Sequence, residues 1–149
     1  MVTEVKDEDK TPFAEALLNL AQSFKNETEN CGKMCGGLTE KEMAVIIFVG
    51  QNDNVKMSDI ADNIVAPVST LTNITDKLVD KKLLVRDHSV EDRRVINVSL
   101  SGTGRTAYNG LIDKRKKLIE SILSGMDDSE ARLMLKHLKL LSAEIGRAR

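Results

Sequence analysis

Apolar residues recur at helical spacing from Phe13 onward, with Phe13, Ala16, Leu17, Leu20, Ala21 and Phe24 on one face. This pattern predicts a first helix that opens at Thr11-Pro12, where proline suits the first helical position, and fades near Glu29. Residues 1–10 read as a charged, disordered lead-in. Cys31 to Gly37 reads as a glycine-broken connector. Leu38-Thr39-Glu40-Lys41-Glu42 then carries a capping box, with Thr39 and Glu42 in the reciprocal positions and Leu38 and Met43 placed as a hydrophobic staple. The run Met43 to Val49 is apolar at nearly every position, so helix two is expected to be central and buried on most sides, stopping at Gly50.

After a polar loop at Gln51 to Asn54, Ser58 is expected to cap a short helix three with Ile60, Ala61 and Ile64 inward. Val65-Ala66-Pro67 breaks the pattern. Helix four turns Leu71, Ile74 and Leu78 inward and carries Ser69, Thr70, Thr72, Asn73, Asp76 and Lys77 on its other face. The period then shifts to two. Leu83 to His88 and Arg94 to Leu100 read as strands, with Ile96, Val98 and Leu100 facing one way, joined by a charged tip at Ser89 to Asp92. A lone hairpin is marginal, so it must pack on the helices. Helix five is expected from Ser101 to about Ser124, ended by Gly125. Asp127 and Glu130 form a second capping box before helix six, which stripes Met134, Leu138, Leu141 and Ile145. The fold class is mainly α with a small β-hairpin wing: a winged helix-turn-helix.

Composition narrows the function. The 149 residues point to one domain, 1–149. No apolar run approaches the ~20 residues of a membrane span, and the charged start lacks a secretory apolar core, so no membrane association is expected. Two cysteines and six methionines suit a reducing cytoplasm rather than a disulfide scaffold. Charge is balanced, with 22 basic and 23 acidic side chains. Between Val55 and Leu100 the seven cations (Lys56, Lys77, Lys81, Lys82, Arg86, Arg93, Arg94) meet seven anions (Asp59, Asp62, Asp76, Asp80, Asp87, Glu91, Asp92). A polycationic nucleic-acid coat is excluded, but a local DNA-reading face is not.

Such a face is what helix four offers. A helix entering the major groove, about 12 Å wide, needs short hydrogen-bonding side chains near its N-terminus. Ser69, Thr70, Thr72 and Asn73 meet that need, with Asn73 suited to adenine and the threonine methyls to thymine. The plainer alternative is a solvated polar face. At the wing tip, Arg93 or Arg94 has the charge to enter a narrow minor groove; an exposed ion pair with Glu91 or Asp92 is the alternative.

The stretch from Leu38 to Gly104 resembles the multiple-antibiotic-resistance regulator (MarR) family of winged-helix transcription factors. The resemblance lies in Leu38-Thr39, in Asp59-Ile60-Ala61 with Val68 to Leu78, and in Asp92-Arg93-Arg94 followed by Val95 to Leu100 and Ser101-x-x-Gly104. It implies an obligate homodimer on pseudo-palindromic double-stranded DNA, usually a repressor relieved by a small-molecule effector or an oxidant. It places Ser69, Thr70, Thr72 and Asn73 on the recognition helix and makes Arg94, held by Asp92, the wing arginine; Lys77 and Arg93 are further candidates for DNA contact. The winged module spans 38–100, and 11–30 and 102–146 supply flanking dimerisation helices. Three positions depart from the family pattern: Val65 and Lys82 where glycine is usual, and Pro67 where a serine cap is common. The recognition helix also lacks an arginine.

The apolar stripes on the terminal helices argue independently for a two-fold partner, the alternative being intrachain packing. Cys31-Gly-Lys-Met-Cys35 is a candidate redox pair, a pair of inert thiols, or a metal site with poor spacing, since His88 and His137 are isolated. Lys114-Arg115-Lys116-Lys117 reads as a solvated helix face or a partner contact. No catalytic motif is present, so no enzyme, cofactor or metal is expected. The competing functional readings are a thiol-redox sensor using Cys31 and Cys35, and a winged-helix protein-interaction module without DNA binding.

Overall fold

The structure, a computed structural model, describes residues 6–89, 92 and 94–147. It resolves into two compact units divided between Leu111 and Ile112.

The first unit opens with α1 (Asp7–Met34), longer at both ends than the apolar pattern suggested. Residues 7–10 are helical rather than a loose lead-in, and Pro12 lies inside the helix, where its missing N–H removes one intrahelical bond. The expected connector at Cys31 is also helix. The reversal falls at Gly36 and Gly37, which alone in that stretch take positive φ (82° and 72°). Gly32 serves packing instead, because a Cβ there would sit 2.1 Å from the Leu38 carbonyl oxygen.

In α2 (Glu40–Asn52) the capping box forms as expected: Glu42 N–H donates to Thr39 Oγ1 (3.2 Å) and Thr39 N–H to Glu42 Oε2 (2.8 Å). Leu38 and Met43 are both buried beside it. The helix does not stop at Gly50. That glycine is an interior contact, since a Cβ there would lie 2.3 Å from the Tyr108 ring. The chain turns later, at Asp53 and Asn54, both with positive φ.

A two-residue strand, β1 (Val55–Lys56), precedes α3 (Met57–Ile64) and was not anticipated by the pattern, being too short to show alternation. Ser58 is not the cap of α3. Lys56 holds that position without a side-chain bond, and Ser58 Oγ lies within the helix, 3.4 Å from Asp59 Oδ1. After α4 (Val68–Asp80) come β2 (Leu84–His88) and β3 (Ile96–Leu100). The sheet is antiparallel with order β1-β3-β2, so the hairpin gains a third strand. Its register sets Leu84 opposite Leu100, Arg86 opposite Val98, and Val55 opposite Val98 from the other side. Val98 is fully buried, but Ile96, expected to share its face inward, is exposed near the tip where the hairpin leaves the helices. The core is built from Val45, Ile46 and Val49 of α2, Ile60 of α3, Leu71 and Leu78 of α4, and Val98. Leu111 joins it from α5 (Gly102–Leu123).

The second unit holds the rest of α5 and α6 (Asp128–Arg147). Asp127 caps α6 by accepting from Ser129 and Glu130 N–H (2.8 and 2.9 Å), and Glu130 Oε2 accepts from Asp127 N–H (2.9 Å). No residue of α6 is buried within the chain.

Candidate nucleic-acid interface

The geometry of α4 follows from what holds it. Leu71, Thr75 and Leu78, spaced i, i+4 and i+7, are fully buried. Ile74, expected on that row, is only half-buried. Thr75 is admitted because its hydroxyl donates to the Leu71 carbonyl (2.8 Å), which satisfies it without a tertiary partner. The opposite face is open. Ser69, Asn73, Asp76 and Lys77 are exposed, while Thr70 and Thr72 are half-buried. Thr72 spends its hydroxyl proton on the Val68 carbonyl (2.9 Å), leaving oxygen lone pairs and a methyl group for a ligand.

The turn before α4 is made by Val65 in the left-handed region (φ 52°, ψ 53°), and Pro67 takes the N-cap with no side-chain bond. Both are positions where the family pattern differs. Lys82, the third, also has positive φ (58°). The backbone thus keeps the conformation that glycine usually serves, although the side chains have changed. The base of the wing is fixed by Ser101, whose hydroxyl donates to the Lys82 carbonyl (2.6 Å) and accepts from Gly104 N–H (2.9 Å). Gly104 lies so close beneath this turn that a Cβ would fall 1.9 Å from the Leu83 carbonyl oxygen.

Two ion pairs tie α4 to its neighbours, and neither is marked by any local spacing in the sequence. Arg86 of β2 donates to Asp76 and to the Thr72 carbonyl (3.3 Å), clamping strand to helix from the side. Its Nε is buried without a partner. Lys81, at the C-terminal cap of α4, pairs with Glu42 of α2 (3.3 Å), whose side chain is 5% exposed. Burial pushes the Glu42 carboxyl up, but the Thr39 N–H, the Lys81 ammonium and the Thr39 hydroxyl outweigh it and hold it below its ordinary value.

On the wing, Asp92 and Arg94 are exposed; Arg93 lies outside the described residues, as does Glu91. The Asp92 carboxylate accepts from the backbone N–H of Arg94 (2.9 Å), so it shapes the turn that presents Arg94. Val95 N–H donates to the Asp92 carbonyl and Ser89 N–H to the Val95 carbonyl, closing the tip (both 2.9 Å).

Cys31 and Cys35 do not sit at the exposed face of α4. Both are half-buried at the end of α1 and pack against the core. Residues i and i+4 of a helix hold their Cβ atoms about 5–6 Å apart, beyond disulfide geometry, so pairing them requires the last turn to open. Among the described residues, no group of three or more His, Cys, Asp or Glu side chains is arranged to hold a metal ion.

The short helix, the left-handed turn, the supported second helix and the adjoining three-stranded wing define a winged helix-turn-helix. Residues 38–96 match the model of the MarR family. The chain is 30% identical over 94 residues to the HTH-type transcriptional repressor MdtR of Bacillus subtilis (strain 168), an alignment covering 63% of this chain and 61% of that relative's length. The solved structure of the YusO protein from Bacillus subtilis superposes with a TM-score of 0.74 at 25% identity, covering 98% of this chain and all (100%) of that one. The fold is also that of Streptococcus pneumoniae FabT, solved in complex with DNA (TM-score 0.79, 23% identity, 91% of this chain and 99% of that one).

Proposed function

We propose that the chain is a sequence-specific, double-stranded-DNA-binding transcriptional regulator: a repressor that acts as a homodimer on a pseudo-palindromic operator and is relieved by a small ligand or an oxidant. The observation that carries this reading is the two-sidedness of α4. One row is fully buried, and the other presents Ser69 and Asn73 to solvent beside Thr70, Thr72 and Lys77. The helix N-terminus leads into the major groove, and the wing's Arg94, with Arg93, serves the flanking minor groove.

The dimer is supported by apolar side chains that the single chain leaves uncovered. Phe13, Leu20 and Phe24 are exposed on α1, and Leu133, Leu138 and Ile145 on α6. An isologous two-fold interface through 11–30 and 102–146 buries them. The repressor role follows the named function of MdtR, and effector relief follows the family resemblance; Cys31 and Cys35 are the candidates for an oxidant arm. A cytoplasmic site of action fits a DNA target, and among the described residues no helix is long and apolar enough to cross a membrane.

A mobility shift tests the reading, using the DNA upstream of the chain's own gene and a duplex selected from a randomised library. Retardation by a dimer-sized species, competed by the selected duplex and not by bulk DNA, is the expected result. No retardation of either probe overturns it. Peroxide treatment that leaves the shift unchanged removes the oxidant arm.

A further inference from the structure

The first residue of α4 is a valine that the fold does not bury. Val68 is 67% exposed, although the core lies one helical face away. A β-branched apolar residue left in water at a helix start gains nothing for stability, and it stands at the position where a reading helix first meets base edges. Thr72 follows one turn later on the same row. Its hydroxyl hydrogen is committed to the Val68 carbonyl at 2.9 Å, so this pair offers the groove two methyl-bearing side chains with no free donor. Asn73 stands exposed beside them and supplies the amide that matches adenine. The carboxylate next along, Asp76, is held by Arg86, which leaves that arginine committed and unable to seek guanine.

In the major groove, the C5-methyl of thymine is the one apolar feature among the four bases. From this geometry we infer that Val68, together with the Thr72 methyl, is a specificity-determining residue that recognises thymine through its methyl group. Each half-site therefore places A·T pairs under the start of α4. This rests on the DNA-binding reading above and extends it to a residue outside the polar set.

The experiment removes the methyl without touching a hydrogen bond. The duplex obtained by selection is synthesised again with deoxyuridine in place of thymidine at the half-site positions, and binding of the full-length protein to both is measured by fluorescence anisotropy. Wild type should lose about fourfold in affinity per contacted methyl, the worth of one buried methyl-sized group. Val68→Ala, an exposed change that favours helix, should lose clearly less than wild type on deoxyuridine, keeping only the share that the Thr72 methyl carries. Equal binding of both duplexes by wild type overturns the inference while leaving DNA binding intact. So does a Val68→Ala protein that still loses as much as wild type on deoxyuridine. If no duplex can be selected at all, the DNA-binding reading falls and this inference falls with it.

Discussion

At the scale of single residues, two side chains, in the turn before α4 and at the base of the wing, sit where the backbone does not favour them. Val65 and Lys82 occupy the left-handed region, and a β-branched residue there is strained by roughly 1–2 kcal/mol. Val65→Gly should stabilise the protein by about 1 kcal/mol, less whatever glycine's looser unfolded chain takes back, as read from the urea midpoint. A lowered midpoint contradicts the strain. Glu42 yields a prediction with a definite sign. Its folded carboxyl is held below the ordinary value, so its contribution is complete above the unfolded pKa and is lost as pH falls through the folded one. Glu42→Gln should therefore cost about 1 kcal/mol at neutral pH, and its gap to wild type should close as the pH drops below the usual carboxylate range. A gap that is constant with pH would show that the Lys81 pair carries no linkage.

At the scale of elements, the clamp between β2 and α4 fixes which groups the exposed face of α4 presents, and so, on the proposed function, what DNA meets. Arg86→Met leaves the Asp76 carboxylate uncompensated on a face meant for phosphate-lined grooves. Operator affinity should fall on the order of tenfold, and adding Asp76→Asn should recover most of it. Failure of the double variant to recover would reduce Arg86 to a packing role. Gly104→Ala tests the seat of the wing. Its Cβ must displace the Leu83 carbonyl, at an expected cost of about 1–3 kcal/mol in thermal or urea unfolding. These two features divide what the sequence revealed from what it hid. The Thr39–Glu42 box, the α6 cap and the polar row of α4 were legible because their partners lie within a helical turn. Arg86 with Asp76 and Lys81 with Glu42 join residues distant in the chain, so only the packed structure pairs them. Thr75 was hidden for another reason, since its polarity masks a burial that its own helix backbone makes harmless.

At the scale of the whole molecule, the order of the helices and the β2–β3 hairpin was readable from the change in hydrophobic period, and only the two-residue β1 was missed. Element ends were less readable, and for identifiable reasons. Gly50 looked like a stop and is a contact for Tyr108; Cys31 to Met34 looked like a loop and is the last turn of α1. The terminal helices make the dimer testable. Phe24→Asp or Leu138→Asp alters a side chain that the lone chain leaves exposed, so the winged module should still fold. Sedimentation should show a monomer, and affinity for a full two-fold operator should collapse toward that for a half-site. A variant that stays dimeric would move the interface elsewhere.

The seven-to-seven balance of charge between Val55 and Leu100 has a consequence for life among kilobases of competing chromosome. Lys81 and Arg86 are moreover already paired with carboxylates of the same chain, which leaves the module little excess of positive charge to offer random sequence. On the proposed function, attachment to random duplex should be weak, and its log affinity should fall only gently against log salt, with a slope equivalent to fewer than about ten neutralised phosphates.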